Sequence, residues 1–589
     1  MSDGAATPEA KDKNLPASSE ANDTPSADAP STGAAAKPKK KEKVPEGPGV
    51  LLRGRLAEVG AILSGVLYFL AFAGFDQWWL TFVSLVPLWL ALQGQTAKRA
   101  TWLGFLCGLS MNLGGFYWLV EMLKTFSGFP VPLCLLFVII ICSYQGGRLA
   151  LMGWLYGRAS NRGWSAPLVF GAAFAASELL YPLLFPWYYA ATVHQVPVLM
   201  QLAEVGSPIL VGLVLVAVNL AVAEPIRARL AAKLGAVAAP APASGSTEER
   251  APIAMNPRVI GTGVIALVVA LVFGAVRIPM TKARIAAAEP VHAGMVQANM
   301  GLMAKREDPN EGLRRHRRLT AELKNAGIDF VVWSESSVMR AVYEDAAPVE
   351  FRRGFASSLG VPAIFGAVVV KPNPDRPKGY SLYNTAVATD VRGEMTGRYN
   401  KQYLLAFGEY LPFGESFPIL YKWSPNSGNF SPGTSMDPVE LDVKGTKHKV
   451  SVLICYEDIL PGFTNRAVSH ADPELLVNIT NDAWFGDTNE PWQHLALAKF
   501  RAIEHRRYLV RSTNSGVSAI VDPMGGIVTN TKTFVEAAQQ AEIRWLRGRT
   551  VYEIIGDVPW YLVSLGIVVA AFRKRNAKGA EPAPAASAI

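Results

Sequence analysis

The sequence predicts a polytopic α-helical membrane domain of about eight transmembrane helices joined to an α/β domain. Two patterns carry that prediction. Apolar stretches of bilayer length recur through residues 57–277 and again near 558–572, and short β-type runs alternate with helical patterns between 280 and 550. Composition agrees: of 589 residues, 50% are hydrophobic and only 18% charged, and long apolar runs mark membrane chains.

The stretches run roughly 57–75, 79–94, 101–121, 131–155, 166–184, 198–223 and 258–277, with the last at 558–572. Each is near the ~20 apolar residues that a helix needs to cross a bilayer core. The formal net charge of +9 could suggest nucleic acid, but the basic residues cluster beside the apolar stretches. Arg53 and Arg55, Lys98 and Arg99, Arg158 and Arg162, Arg227, Arg229 and Lys233, and Arg573 to Arg575 all fall on one side of the expected membrane. The opposite connectors, such as 74–79 and 185–197, are aromatic and poor in Lys and Arg. The positive-inside rule then puts both termini in the cytoplasm and residues 280–550 outside it. No nucleic-acid partner is expected. Residues 1–50, rich in Ala, Pro, Ser, Asp and Lys, carry too little apolar surface to offset ordering entropy and are expected to form a disordered cytoplasmic tail.

In the polar part, strand-like runs occur at 292–298, 328–335, 361–370, 449–457 and 474–480, with helical patterns near 309–326, 348–359 and 489–507. Apolar strands separated by amphipathic helices imply a sheet covered by helices. A GxGxxG turn after a strand and a P-loop are both missing, so nucleotide binding is unsupported. Of the four cysteines, Cys107, Cys134 and Cys142 lie in apolar stretches, and Cys455 stands alone in the polar part. That spacing offers neither a zinc cluster nor a disulfide framework, so no metal and no cofactor are expected.

Three polar residues fall at or just beyond strand ends: Glu335 after VVWS, Lys401 after GRYN and Cys455 after SVLI. Strand C-termini gather reactive groups because the loops there face a shared crevice. A thiol with an ordinary pKa near ~8.5 is mostly protonated at neutral pH, so it needs a base. Attack on an ester or amide creates an oxyanion, which an ammonium in a dry site stabilises. Glu335, Lys401 and Cys455 thus supply base, oxyanion donor and nucleophile.

The order Glu, Lys, Cys, with NKQYLLAFGEYLPFGE (400–415), LICYED (453–458) and NITNDAWFG (478–486), resembles the nitrilase superfamily. Segments 70–92, 114–119, 185–208, 501–525 and 556–560 narrow the resemblance to the apolipoprotein N-acyltransferases over residues 55 to 575. The resemblance implies an extracytoplasmic nitrilase-like α-β-β-α sandwich over 288–548, a seven-helix transmembrane domain over 55–280, a last transmembrane helix over 556–574 and a cytoplasmic tail over 575–589. It implies a multi-pass protein of the bacterial inner membrane, with its catalytic domain on the periplasmic side. The reaction implied is a ping-pong transfer of an acyl chain from a phospholipid of the phosphatidylethanolamine type. The chain passes through a thioester on Cys455 to the N-terminal amine of diacylglyceryl-cysteine on an apolipoprotein. Glu409 then aligns with a supporting family glutamate, and Tyr456 and Glu457 follow the nucleophile as in the family. One departure is that 296–308 carries Lys305 and Arg306 where the family pattern has a tryptophan.

The aromatic segments 410–430 and 483–492, with Trp423, Trp484 and Phe485, suit loops that gate the site against the bilayer. Two other readings compete. One is a membrane-anchored nitrilase-type amidase or hydrolase, for which seven preceding spans are more than a tether needs. The other is a transporter, for which the charges Glu121, Arg148, Glu178 and Glu204 in or near the spans are few.

Overall fold

The computed structural model describes residues 49–234, 254–301 and 308–575, apart from 377, 407, 412, 413, 415, 418 and 424–427. Nearly all of the two expected tails, the Lys305–Arg306 departure, part of the loop 410–430 and the Trp423 side chain lie outside the described residues.

Before residue 290 the chain is helical: Gly54–Leu70, Val86–Leu92, Ala97–Gly115, Leu119–Ser127, Val131–Ser160, Ala166–Leu180, Ala203–Leu234 and Pro257–Ala287, besides shorter turns. Among the described residues, three helices are long and apolar enough to cross a membrane: Val131–Ser160, Ala203–Leu234 and Pro257–Ala287. Ala97–Gly115 with Leu119–Thr125, bent by 61°, makes a fourth if the pair is one span. Trp78–Leu92, Ala166–Leu180 and Val558–Phe572 are apolar but shorter. Counted together these make seven among the described residues, not the expected eight, and Gly54–Leu70, at the first expected stretch, is not one of them.

Small residues set the packing of this part. A Cβ at Gly104 would come 2.1 Å from Leu149 O, and one at Gly108 would come 2.5 Å from Gly146 O. Glycine here lets Ala97–Gly115 and Val131–Ser160 approach backbone to backbone, as membrane helices commonly do. On Pro257–Ala287, Val264, Ile265, Val268, Val269 and Val272 are exposed, an outer face that suits lipid. Arg148 and Glu178, 3.6 Å apart and both buried, pair inside the helical part.

The α/β part holds two sheets. The first contains β1 (Pro290–Gln297), β2 (Phe330–Trp333), β3 (Val338–Tyr343), β4 (Ala363–Pro372), β5 (Tyr380–Thr389) and β6 (Met395–Asn400). The second contains β7 (Val439–Val443), β8 (Thr446–Ile454), β9 (Leu475–Thr480), β10 (Leu509–Thr513), β11 (Ala519–Val521) and β12 (Ile527–Asn530). β13 (Ala537–Arg544) returns to the first sheet. The orders are β13-β1-β2-β4-β5-β6, with β3 paired to β4, and β12-β11-β10-β9-β8-β7. Parallel neighbours such as β1/β2 and β8/β9 are joined through helices, which is what the alternating sequence pattern implies. Polar bonds stitch the sheets together: Ser512 Oγ donates to Val296 O at 2.9 Å, and Gln297 Oε1 accepts from Thr513, Ser518 and Thr531 hydroxyls. Trp333, unassigned by the sequence, is a core residue. It donates Nε1–H to Thr320 Oγ1 at 2.8 Å and stacks on Phe355.

The helical and α/β parts share one buried apolar cluster, running from Tyr68 and Trp89 through Phe116, Trp118 and Phe185 to Tyr456 and Ile454. Polar ties cross the same boundary. Trp118 Nε1 donates to Gln493 Oε1 at 3.1 Å, Gln201 Nε2 donates to Met524 O at 2.9 Å, and Arg506 pairs with Glu204. The Ala203–Leu234 helix breaks at Gly206 and Ser207, just before Pro208, so Glu204 leaves the helix line to meet Arg506.

Candidate active site

β8 ends at Ile454, and Cys455 begins a 3-10 turn with φ of 52°. A left-handed conformation in a residue other than glycine costs roughly 1–3 kcal/mol unless its surroundings enforce it. Here they do. Glu457 Oε2 accepts the Ile454 N–H at 2.8 Å, and Glu457 Oε1 accepts from Tyr399 OH at 2.9 Å and from the N–H groups of Gln402 and Tyr403 at 2.7 and 3.0 Å. Behind the turn, Asn478 Nδ2 donates to Leu453 O and Cys455 O, both at 3.1 Å. Glu457 thus ties the Cys455 turn to the segment after β6, where Lys401 stands.

Lys401 follows β6 and is buried, 1% exposed. Its Nζ lies 2.7 Å from Glu409 Oε2 and 3.6 Å from Glu335 Oε1. Burial alone would push the ammonium down. The charges of Glu409, Cys455 and Glu335 and a hydrogen bond to Glu409 together outweigh that, so Lys401 is held well above the usual lysine range. Glu335 follows β2 with its side chain buried. The neighbouring strand β4 passes so close that a Cβ at Gly366 would come 2.8 Å from Glu335 Cα. Burial pushes the Cys455 thiol well above its ordinary value, and the Glu335 charge adds to this while Lys401 opposes it. The resting sulfur is therefore a neutral thiol that must give up its proton to react.

Asn384, in the middle of β5, escaped the sequence reading. Its Nδ2 donates to Glu335 Oε1 at 2.6 Å and to Glu409 Oε1 at 2.7 Å. Glu409 Oε2 also accepts the Leu405 N–H at 2.8 Å. One amide therefore fixes both carboxylates around the ammonium. A polar residue inside the apolar run SLYNTAVA was the available signal.

Behind the Cys455 turn lies a buried charge network, also unread from sequence. Arg511 donates to Asp458, Asn478 and Asp482 at 2.7, 2.8 and 3.2 Å, and His494 bridges Asp458 and Asp482 at 2.9 and 3.2 Å. Asp482, Glu490 and His494 place ligand-type atoms within 4.8 Å of one another, a spacing that could hold a cation. Arg511 already supplies the positive charge there, and His494, pushed up to about 10, supplies a second. Burial and the Arg511 charge each work against that rise, and Asp458 and Asp482 outweigh them.

Of the aromatic loop residues, Phe485 is buried and meets Trp118 edge to face at 5.2 Å. Trp484 packs against the shared apolar cluster. Tyr456 meets Phe185 at 5.9 Å and lines a cavity of about 680 Å³, which is also bordered by Leu183, Leu184 and Tyr403. The thiol, the ammonium and the carboxylates thus lie where the α/β part borders the helical part.

Comparison with known proteins agrees with that joint architecture. Residues 64–221 match a family model described as the apolipoprotein N-acyltransferase N-terminal domain, and residues 292–549 match one described as carbon-nitrogen hydrolase. An apolipoprotein N-acyltransferase from Geobacter metallireducens is 29% identical, covering 88% of this chain and 95% of its own length. The chain resembles the apolipoprotein N-acyltransferases along most of its length. Relatives of the same name from Azotobacter vinelandii (29% identical, 90% and 97% covered) and Bdellovibrio bacteriovorus (28% identical, 88% and 94% covered) extend the match. Among solved structures, an amidase from Nesterenkonia sp. is 19% identical and covers 46% of this chain and 95% of its own, with a TM-score of 0.33. The similarity runs through both halves, the helical part as well as the sheets.

Proposed function

We propose that this protein is a membrane-embedded N-acyltransferase that moves an acyl chain from a phospholipid, through a thioester on Cys455, to the N-terminal amine of diacylglyceryl-cysteine on an apolipoprotein. The observation that carries this reading is the placement of Cys455, Lys401 and Glu335 at the border with the helical part, beside a cavity that Leu183 and Leu184 help to line. A family match in both halves favours it over a tethered amidase.

In the first half-reaction Glu335 takes the Cys455 proton and the sulfur attacks the ester carbonyl carbon. Lys401 stabilises the oxyanion, whose worth is greatest where water is excluded. The carbon–oxygen bond breaks, and the lysophospholipid leaves with the proton returned by Glu335. In the second, the peptide amine attacks the thioester carbonyl and Glu335 takes its proton. The carbon–sulfur bond breaks, Cys455 recovers its proton, and an amide is released. Glu409 and Asn384 hold Lys401 and Glu335 in place, and Glu457 keeps the Cys455 turn in register. Trp423, Trp484 and Phe485 belong in this reading to loops at the lipid border.

The fuller topology belongs to the same proposal. Seven spans precede the α/β domain (288–548) and an eighth follows it, with both termini cytoplasmic and the α/β domain on the periplasmic side of a bacterial inner membrane. The grouping of Lys and Arg on one side supports it.

The deciding experiment incubates the purified full chain with phospholipid carrying a labelled acyl chain. Acyl mass on the protein that hydroxylamine removes, and that diacylglyceryl-cysteine peptide discharges as peptide amide, is the expected result. Discharge to water at the same rate without peptide overturns the reading in favour of a hydrolase.

A further inference from the structure

The helix Pro257–Ala287 carries charge at both ends of an uncharged middle. Residues 259–276, between Arg258 and Arg277, have no charged side chain. An α-helix of that length covers about 28 Å, close to the ~30 Å of a bilayer's hydrocarbon core. Arg277 thus stands where the helix leaves the core. The outward apolar stripe runs past that level, with Val269, Val272, Val276 and Met280 all exposed. Arg277 and Arg284 are two helical turns apart, so they share the face beside Met280.

The cations at this end outnumber their carboxylate partners. Glu204 receives two guanidiniums: Arg277 pairs with its Oε1 at 2.7 Å, and the buried Arg506 donates Nε–H to its Oε2. Arg506 Nη1 donates to Gln201 Oε1 and Pro523 O at 2.6 and 2.9 Å, while its buried Nη2 has no partner. The half-buried Arg284 forms no ion pair among the described residues, and its Nη2 is likewise buried without a partner. Burial holds Arg506 below the usual arginine range, Glu204 opposes that, and the charges of Arg277 and Arg284 add to it. Glu553, whose charge also reaches Arg284, is already paired with Arg507 at 2.5 Å. Three guanidiniums therefore gather around one carboxylate, with the exposed Lys282 on the same segment. In the topology proposed above this end lies outside the cytoplasm, where the other connectors hold few Lys and Arg.

We propose that Arg277, Arg284 and Arg506 bind the phosphodiester of an anionic phospholipid in the half of the bilayer that faces the α/β domain, at a site separate from the donor's. Its chains lie along Val269, Val272 and Val276, and its phosphate meets the guanidiniums, whose planar forks match phosphate oxygens. The excess positive charge favours a net negative headgroup, because the ammonium of a zwitterionic lipid is repelled there. Arg277 and Arg284 belong to the helical part and Arg506 to the α/β part, so the bound lipid ties the two together.

The test uses the purified full chain in detergent with ether-linked lipids of identical chains. These carry no ester to transfer, so the outcome is independent of the acyl-transfer reading. Native mass spectrometry should show phosphatidylglycerol binding about tenfold more tightly than phosphatidylethanolamine, the scale of one hydrogen bond to a charged group. Phosphatidylglycerol should also raise the unfolding temperature at concentrations where phosphatidylethanolamine does not. Arg284→Ala removes no hydrogen bond or ion pair that the side chain makes among the described residues. It should unfold at the native temperature without lipid and lose most of the preference. Arg284→Gln should do the same, and Arg284→Lys should keep part of it. Equal affinity for the two lipids in the native protein, or an unchanged preference in both neutral variants, overturns the inference. An equal shift from inorganic phosphate alone would make this a site for free anions and overturns the lipid assignment.

Discussion

The Ile454 N–H donates to Glu457 Oε2 at 2.8 Å, closing the turn that holds Cys455 in its left-handed conformation. The same carboxylate receives three more donors through its other oxygen, from Tyr399, Gln402 and Tyr403. Only an ionised carboxylate can accept from all four without presenting a proton to one of them.

Glu457→Gln should therefore place an amide N–H against at least one of those donors. The expected cost is about 1–3 kcal/mol of stability, with acyl-enzyme formation falling alongside. Thermal unfolding in detergent and single-turnover acylation read the two effects. Unchanged acylation would mean that Glu457 does not shape the nucleophile turn.

Burial raises the Glu457 carboxyl from its ordinary value of 4.5 to about 7, against its backbone hydrogen bonds and the Lys401 charge. Between those values the folded state binds the proton more tightly than the unfolded one. This group's contribution to stability is therefore full below 4.5, declines as pH rises to about 7, and is level above that. Activity should run the other way, because the ionised form makes the four-bond clamp. The native-minus-Gln difference in unfolding free energy should shrink from pH 5 to pH 8 while native acylation rises. Parallel trends would contradict the assignment.

Lys401→Met removes the only cation within reach of Glu335 and Glu409 among their described ion pairs. Acyl-enzyme formation should drop by at least about 100-fold, the scale for losing one oxyanion donor. Lys401→Arg should fail as well, since its fork presents donors at other positions and the site is closed around the native side chain. Near-normal acylation in either variant would remove Lys401 from the mechanism.

Asn384→Ala leaves Glu335 and Glu409 without their shared amide donor. Acylation should slow about 10-fold or more, and Asn384→Asp should be worse, because a third carboxylate enters the cluster. A rate equal to native in Asn384→Ala would show that the amide is not needed to position the two glutamates.

The sequence already displays the three residues that end strands, because a reactive group at a strand terminus is visible in one dimension. Asn384, Arg511 and Asp458 are not visible in that way. Asn384 sits mid-strand, and Arg511 and Asp458 are 53 positions apart, so each acquires its partner only when the strands are placed side by side. The strands at 292–298, 361–370 and 474–480 appear close to their expected limits, at β1, β4 and β9. The helical part is less legible. Hydropathy counts apolar residues but cannot see the 61° bend between Ala97–Gly115 and Leu119–Thr125 or the break at Gly206 and Ser207. Trp333 had no assignment from the sequence, because its partners Thr320 and Phe355 come together only in the folded core.

Loss of the base should stop the first half-reaction without disturbing the thiol. Glu335→Gln keeps the size of the side chain and can still accept from Asn384 Nδ2, so the protein should fold with its thiol in place. A neutral amide cannot take the Cys455 proton, and burial holds that thiol neutral. Donor phospholipid should therefore leave Glu335→Gln without acyl mass, whereas the native protein gains one chain that hydroxylamine removes. Cys455→Ala should gain none, for lack of the sulfur. Cys455→Ser should gain, at most slowly, an ester that resists hydroxylamine, because an alcohol is a poorer nucleophile for the same base. Raising the pH separates the two roles. If Glu335 is the base, hydroxide should partly restore loading in Glu335→Gln, since it can ionise the thiol directly, but never in Cys455→Ala. Native loading rates in Glu335→Gln at neutral pH would show that some other group takes the proton, and would return Glu335 to a structural role beside Lys401.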